Sequence, residues 1–84
     1  MNLNQEYFER ICKLVATTLE VDASEVDAAS CAATLPEWDS LAHLMILTAV
    51  ERSFKVVLPR LESYTVKNVG ELTLLVERQL AKNT

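Results

Sequence analysis

An all-α fold is what this sequence predicts: a small four-helix bundle with three major helices, a short third helix and a long first loop. Three observations carry that expectation. Apolar residues recur at steps of three and four along most of the chain, which is the helical period. A single glycine, Gly70, and the absence of any Asn-Gly or Asp-Gly dipeptide leave almost no positions for tight hairpins, which disfavours a small β-barrel or sandwich. Half of the 84 residues are apolar and 24% are charged, so the chain should fold as one domain over residues 1–84, with neither a second core nor a disordered tail.

The first helix is amphipathic. Leu3, Tyr7, Phe8, Ile11, Leu14, Val15 and Leu19 return at helical spacing, with Asn4, Glu6, Glu9, Arg10 and Lys13 on the other side. From Leu19 the period fails. Val21 to Trp38 reads as a long connection containing Pro36 and small residues, with one local turn where Asp22 and Glu25 stand at capping-box spacing. A loop of this length in so small a domain is usually packed by its own side chains or carries function. Val26, Cys31, Leu35 and Trp38 are the residues expected to pin it to the core.

Asp39 is a candidate N-cap, and the run from Ser40 to about Lys55 holds neither glycine nor proline, so a second helix is expected there. Pro59 limits it. Leu61 to Tyr64 should form the short third helix. Asn68, with Glu71 three residues on, marks the start of a fourth whose apolar side is Val69, Leu72, Leu75, Val76 and Leu80. Lys82 to Thr84 are expected to fray.

Charge and cysteine content exclude several function classes. Eight basic against twelve acidic side chains give a net charge of −4, which repels nucleic acid and anionic lipid. The longest stretch without a charged residue, Ser40 to Val50, is too short to cross a bilayer, and Glu6 and Glu9 stand where a signal peptide would be basic and then apolar. The expectation is a soluble, cytoplasmic monomer with no membrane insertion. Cys12, Cys31 and one histidine supply neither a disulfide framework nor a zinc site, and both thiols are expected to act as small hydrophobes in a reducing compartment.

Placed on a helix, Ser40 to Lys55 shows two apolar stripes. His43, Ile46, Leu47, Val50 and Phe54 form one; Leu41, Leu44, Met45 and Thr48 form the other. A bundle this small readily covers only one. Either both stripes are core around a central helix, or the Leu41 stripe is a docking surface rich in Leu and Met, which adapt to varied partners.

At the head of this helix stand Trp38, Asp39, Ser40 and Leu41. An Asp-Ser-Leu triplet opening a helix after a long first loop, about halfway along a chain of this length, resembles the acyl carrier protein family. The resemblance extends from the first helix through Phe54 and Leu58-Pro59 to Asn68-Val69-Gly70-Glu71-Leu72. It implies that Ser40 receives a 4′-phosphopantetheine arm from coenzyme A through a phosphopantetheinyl transferase. The arm's thiol would then hold an acyl or related group as a thioester for acyl-loading, condensing or transferase enzymes. The protein itself would be a carrier substrate and not an enzyme. Asp39 would cap the helix and help the transferase recognise the serine, and a phosphodiester at a helix N-terminus meets the positive end of the dipole. Leu41, Leu44, Met45, Thr48 and Arg52 are the implied docking residues. Ile46, Leu47, Val50, Leu72 and Val76 are candidates for the lining of a sequestered acyl chain, although the same residues suit an ordinary core.

The sequence also departs from that family. Carriers of general fatty-acid synthesis line the second helix with several acids, whereas Asp39 and Glu51 are the only acids between Asp39 and Lys55 here, offset by Arg52 and Lys55. Leu35-Pro36-Glu37-Trp38 replaces a common glycine-containing Leu-Gly segment. Both features point towards the discrete carriers of specialised pathways, such as polyketide, nonribosomal-peptide or unusual acyl or aminoacyl transfer systems. Two alternatives stand beside the carrier. One is a helical interaction module without a prosthetic group, using the same apolar stripe. The other is a hydrolase in which Asp39, Ser40 and His43 share a helical face; it ranks last, because neither a Gly-x-Ser-x-Gly turn nor a parallel-sheet pattern accompanies them.

Overall fold

Helix α1 begins where the side chain of Asn4 accepts the N–H of Tyr7 and runs over Gln5–Leu19. It is followed by a single 3₁₀ turn at Ala23–Glu25, then α2 (Ser40–Phe54), α3 (Arg60–Thr65) and α4 (Val69–Lys82). These elements come from a computed structural model that describes residues 4–31 and 33–82. No strand occurs among the described residues, and the bundle measures 35 × 24 × 20 Å. Leu3, Asn83 and Thr84 lie outside the described residues, whereas Lys82, expected to fray, closes α4. The short third helix is one residue longer at each end than the sequence suggested. None of the helices among the described residues is long and apolar enough to cross a membrane.

α1 packs against both α2 and α4, and α3 leans on α4. Ile11 and Val15 of α1, Ile46 and Val50 of α2, and Val69, Leu72 and Val76 of α4 meet in the centre, fully buried. Burying each such side chain stabilises the fold by about 1.5–3 kcal/mol. At the far end of α2 the Phe54 ring is gripped from α1. Tyr7 meets it edge-on at 5.5 Å and the Arg10 guanidinium lies 4.0 Å above it, donating also to the Ser53 carbonyl at 2.8 Å.

The helix ends explain themselves by different means. α1 and α2 stop at Glu20 and Lys55, both in the left-handed conformation (φ 58° and 57°) that usually favours glycine. After α2, Val56 and Leu58 point inward while Val57 is exposed, and the Leu58 N–H donates to Glu51 Oε2 at 2.8 Å.

The long first loop is held by the N-terminus of α4. Val69 N–H donates to the Ser30 carbonyl and Gly70 N–H to the Ala28 carbonyl, at 3.1 and 2.9 Å, while Asn68 Oδ1 accepts from Glu71. The first turn of α4 therefore finds partners for its free donors. The Glu71 carboxylate reaches back one residue further than a capping box requires, accepting from the Lys67 N–H. A Cβ at position 70 would sit 3.2 Å from the Ala28 carbonyl oxygen, so the close approach of loop to helix accounts for the single glycine. The local turn expected at Asp22 and Glu25 is the 3₁₀ turn, with the Asp22 N–H bonded to Glu25 Oε2.

The two stripes of α2 separate completely. Ile46, Leu47, Val50 and Phe54 are core, whereas Leu41 is 67%, Leu44 45% and Met45 51% exposed, with Thr48 exposed beside them. Leu72→Ala is expected to cost about 2–5 kcal/mol and Leu41→Ala to stay within about 0.5 kcal/mol of the parent, in urea unfolding followed by circular dichroism.

Candidate functional site

Ser40 is the first residue of α2, and its placement follows from its two neighbours. Asp39 is extended and its Oδ1 accepts the Ala42 N–H at 2.8 Å, which fixes where the helix starts. Trp38 is buried, and its indole Nε1–H donates to His43 Nδ1 at 3.1 Å. With Nδ1 accepting, the remaining proton of a neutral imidazole sits on Nε2, where it faces the Ser63 carbonyl at 3.0 Å. One imidazole thus ties the end of the long loop to α2 and α2 to α3. Leu35 and Val26 are buried alongside Trp38, as the pinning of the loop requires.

Ser40 itself is exposed. Its backbone N–H and that of Leu41, the first two donors of a fifteen-residue helix, have no hydrogen-bond partner among the described residues. They present the positive end of the helix dipole beside the hydroxyl. Next to the serine lies a cleft of about 710 Å³ lined by Cys31, Trp38, Asp39, Ser40, His43, Leu44, Tyr64, Val66 and Lys67. Its walls are an indole, a phenol ring, an imidazole and aliphatic side chains, with one thiol, one carboxylate and one ammonium. Free N–H groups at a helix N-terminus favour an anion, and the cleft beside them is partly apolar.

Several of the side chains singled out in the sequence do not meet here. Ile46, Leu47, Val50, Leu72 and Val76 are close-packed in the core, and none of them lines the cleft beside Ser40. Both ring nitrogens of His43 are engaged away from Ser40, so the Asp39, Ser40 and His43 set does not assemble as a triad. Arg52 is exposed at the other end of the Leu41 stripe. Among the described residues no cluster of His, Cys, Asp or Glu suits a metal ion.

Cys31 departs from the expectation that both thiols act as small hydrophobes. It is half-buried and lines the cleft, and so does not pin the loop to the core. Hydrogen bonds from the backbone of Ala33 and Thr34 hold its thiol below the ordinary range. Cys12 behaves as expected, a buried small residue whose thiol is pushed up by burial and then by the nearby charges of Asp27 and Glu9. Tyr64 and Lys67 joined the site without any local signal in the sequence, because the turn between α3 and α4 returns to the head of α2 only in three dimensions.

A scan of the chain against models of known protein families finds no match.

The lowered Cys31 and raised Cys12 predict titration midpoints shifted in opposite directions. A thiol with a depressed pKa is ionised, and so nucleophilic, at lower pH. Alkylation by iodoacetamide, read by peptide mass spectrometry, should label Cys31 with a pH midpoint below that of a free thiol and leave Cys12 unlabelled in the folded protein.

Proposed function

We propose that this protein is a carrier of the acyl carrier type, which holds an acyl or related intermediate on a 4′-phosphopantetheine group attached to Ser40 and offers it to separate enzymes. The observation that carries the reading is the setting of Ser40. An exposed hydroxyl stands at the first residue of a long helix, beside two unpartnered backbone N–H groups and at the mouth of a cleft. That setting is joined to the Asp39-Ser40-Leu41 triplet and to a four-helix architecture with a long first loop.

The residues present fit the group. Ser40 Oγ is the attachment atom, and the N–H groups of Ser40 and Leu41 would hold the phosphodiester with the help of the Lys67 ammonium. Trp38, Leu44, Tyr64 and Val66 offer apolar surface to the rest of the arm. When bound, the group supplies a thiol able to hold cargo as a reactive thioester. Asp39 fixes the start of the helix so that Ser40 is presented outward. Since His43, the only histidine, is engaged by Trp38 and Ser63, deprotonation of the Ser40 hydroxyl falls to the transferase. The same reading makes the protein a substrate of a phosphopantetheinyl transferase and of acyl-loading, condensing or transferase enzymes in a specialised pathway. It places the protein in the reducing cytoplasm, where the arm's thiol stays free.

A second reading, a helical interaction module without the arm, is favoured by one observation: the exposed Leu41, Leu44 and Met45 stripe serves docking whether or not Ser40 is modified. Incubation with coenzyme A and a broad-specificity phosphopantetheinyl transferase separates the two. Intact-mass spectrometry should show one phosphopantetheine per chain, and none on Ser40→Ala. An unmodified wild-type chain, in a reaction that loads a control carrier, would favour the interaction module.

A further inference from the structure

The bond that ties the end of the long loop to α2 exists with only one form of the imidazole. An indole nitrogen donates and does not accept, so the Trp38 Nε1–H, 3.1 Å from His43 Nδ1, requires a lone pair there. The Nε2 side is different. Facing the Ser63 carbonyl at 3.0 Å, it carries a proton in the neutral ring and keeps it in the charged one.

A second proton must therefore go to Nδ1, where it would point at the indole N–H. Two donors would face each other across 3.1 Å, and the bond is lost. The ring geometry offers no compensation. With the nitrogens in hydrogen-bond contact, the centroids 6.1 Å apart and the planes 28° from parallel, the two rings meet edge to edge. An imidazolium would lie against the electropositive rim of the indole and not over its π face, where a cation is attracted. On the other side, the Nε2–H bond to the Ser63 carbonyl becomes charge-assisted and tightens. Protonation thus breaks one of the two ties and spares the other.

The ionisable groups that share the cleft with this imidazole are Asp39 at the cap of its own helix, Cys31 from the loop, Tyr64 from α3 and Lys67 from the turn before α4. The Asp39 carboxylate, whose Oδ1 is bonded to the Ala42 N–H, and the Lys67 ammonium act on an added positive charge in opposite senses. We infer that His43 is a pH-sensitive latch: neutral, it holds Trp38 in the wall of the cleft; protonated, it releases the indole while staying bonded to α3. Because the neutral ring makes the bond, the latch is closed on the alkaline side of the imidazole titration and opens as pH falls through it. Trp38 immediately precedes Asp39 and Ser40, so its release loosens the entry to α2 and one wall of the cleft. The latch works whatever Ser40 carries; only its bearing on loading rests on the carrier reading.

The chain holds one histidine and one tryptophan, so both ends of the bond are followed without ambiguity. Unloaded protein is titrated from about pH 8 to about pH 5, the range in which imidazole changes charge, and followed by NMR at the imidazole C–H and indole N–H resonances. The indole N–H should move towards its position in free tryptophan with the same midpoint as the imidazole, while far-UV circular dichroism stays constant. Its exchange protection, corrected for the pH dependence of exchange, should fall by about tenfold or more. Cys31→Ser, which takes the cleft thiol out of the titration, should behave as the parent does. In His43→Asn, whose side-chain oxygen is an acceptor that does not titrate, the indole resonance should stay flat; the parent titration decides the matter even where this variant does not fold. An indole that stays in place while the imidazole titrates, an imidazole that titrates only as the whole chain unfolds, or the parental indole titration persisting in His43→Asn would overturn the inference.

Discussion

A buried indole must find an acceptor for its N–H, and Trp38 finds one in His43 Nδ1, five residues on in the chain. That bond sets the tautomer of the imidazole, which leaves Nε2–H for the Ser63 carbonyl of α3. The last residues of the long loop, the first turn of α2 and the short third helix are thereby held in one arrangement. The walls of the cleft and the outward presentation of Ser40 depend on it. Removing the acceptor would leave a buried donor unpaired, at about 1–3 kcal/mol, and would free α3 from α2 in the same stroke.

Polar groups near the site divide between holding the fold and facing solvent. Asp39 and Glu51, the two acids of α2 and its cap, each accept a backbone N–H, from Ala42 and Leu58. At the far end of α2, Arg10 lies on Phe54 and donates to Ser53 while staying exposed. The hydroxyl of Ser40, the first N–H groups of α2 and the side chains of Leu41, Leu44, Met45, Arg52 and Lys67 face solvent. A bundle of this size has little interior to give to a ligand, so its chemistry is arranged along one helix and the edge of another.

Much of this was legible because it is local. Helical period separated two apolar stripes on α2 and left open whether the Leu41 stripe is buried, and the residue types Asp39 and Asn68 marked the starts of α2 and α4. Other features leave no local trace. Glu20 and Lys55 take the left-handed conformation without being glycine, so nothing in their identity announces a helix end. The anchoring of the loop runs through backbone carbonyls of Ala28 and Ser30, which every residue possesses. Cys31, Tyr64 and Lys67 reach the cleft from three separate places in the chain, and residue type gave Cys31 the wrong role. The proposal of an arm on Ser40 rests on pattern and setting together.

The most direct measurement is peptide mapping of the protein isolated from the cells that naturally make it. Tandem mass spectrometry of the peptide containing Ser40 should find a phosphopantetheine group on that side chain, with or without cargo on its thiol. A chain recovered wholly unmodified at Ser40, from cells whose other carrier proteins bear the group, would contradict the account.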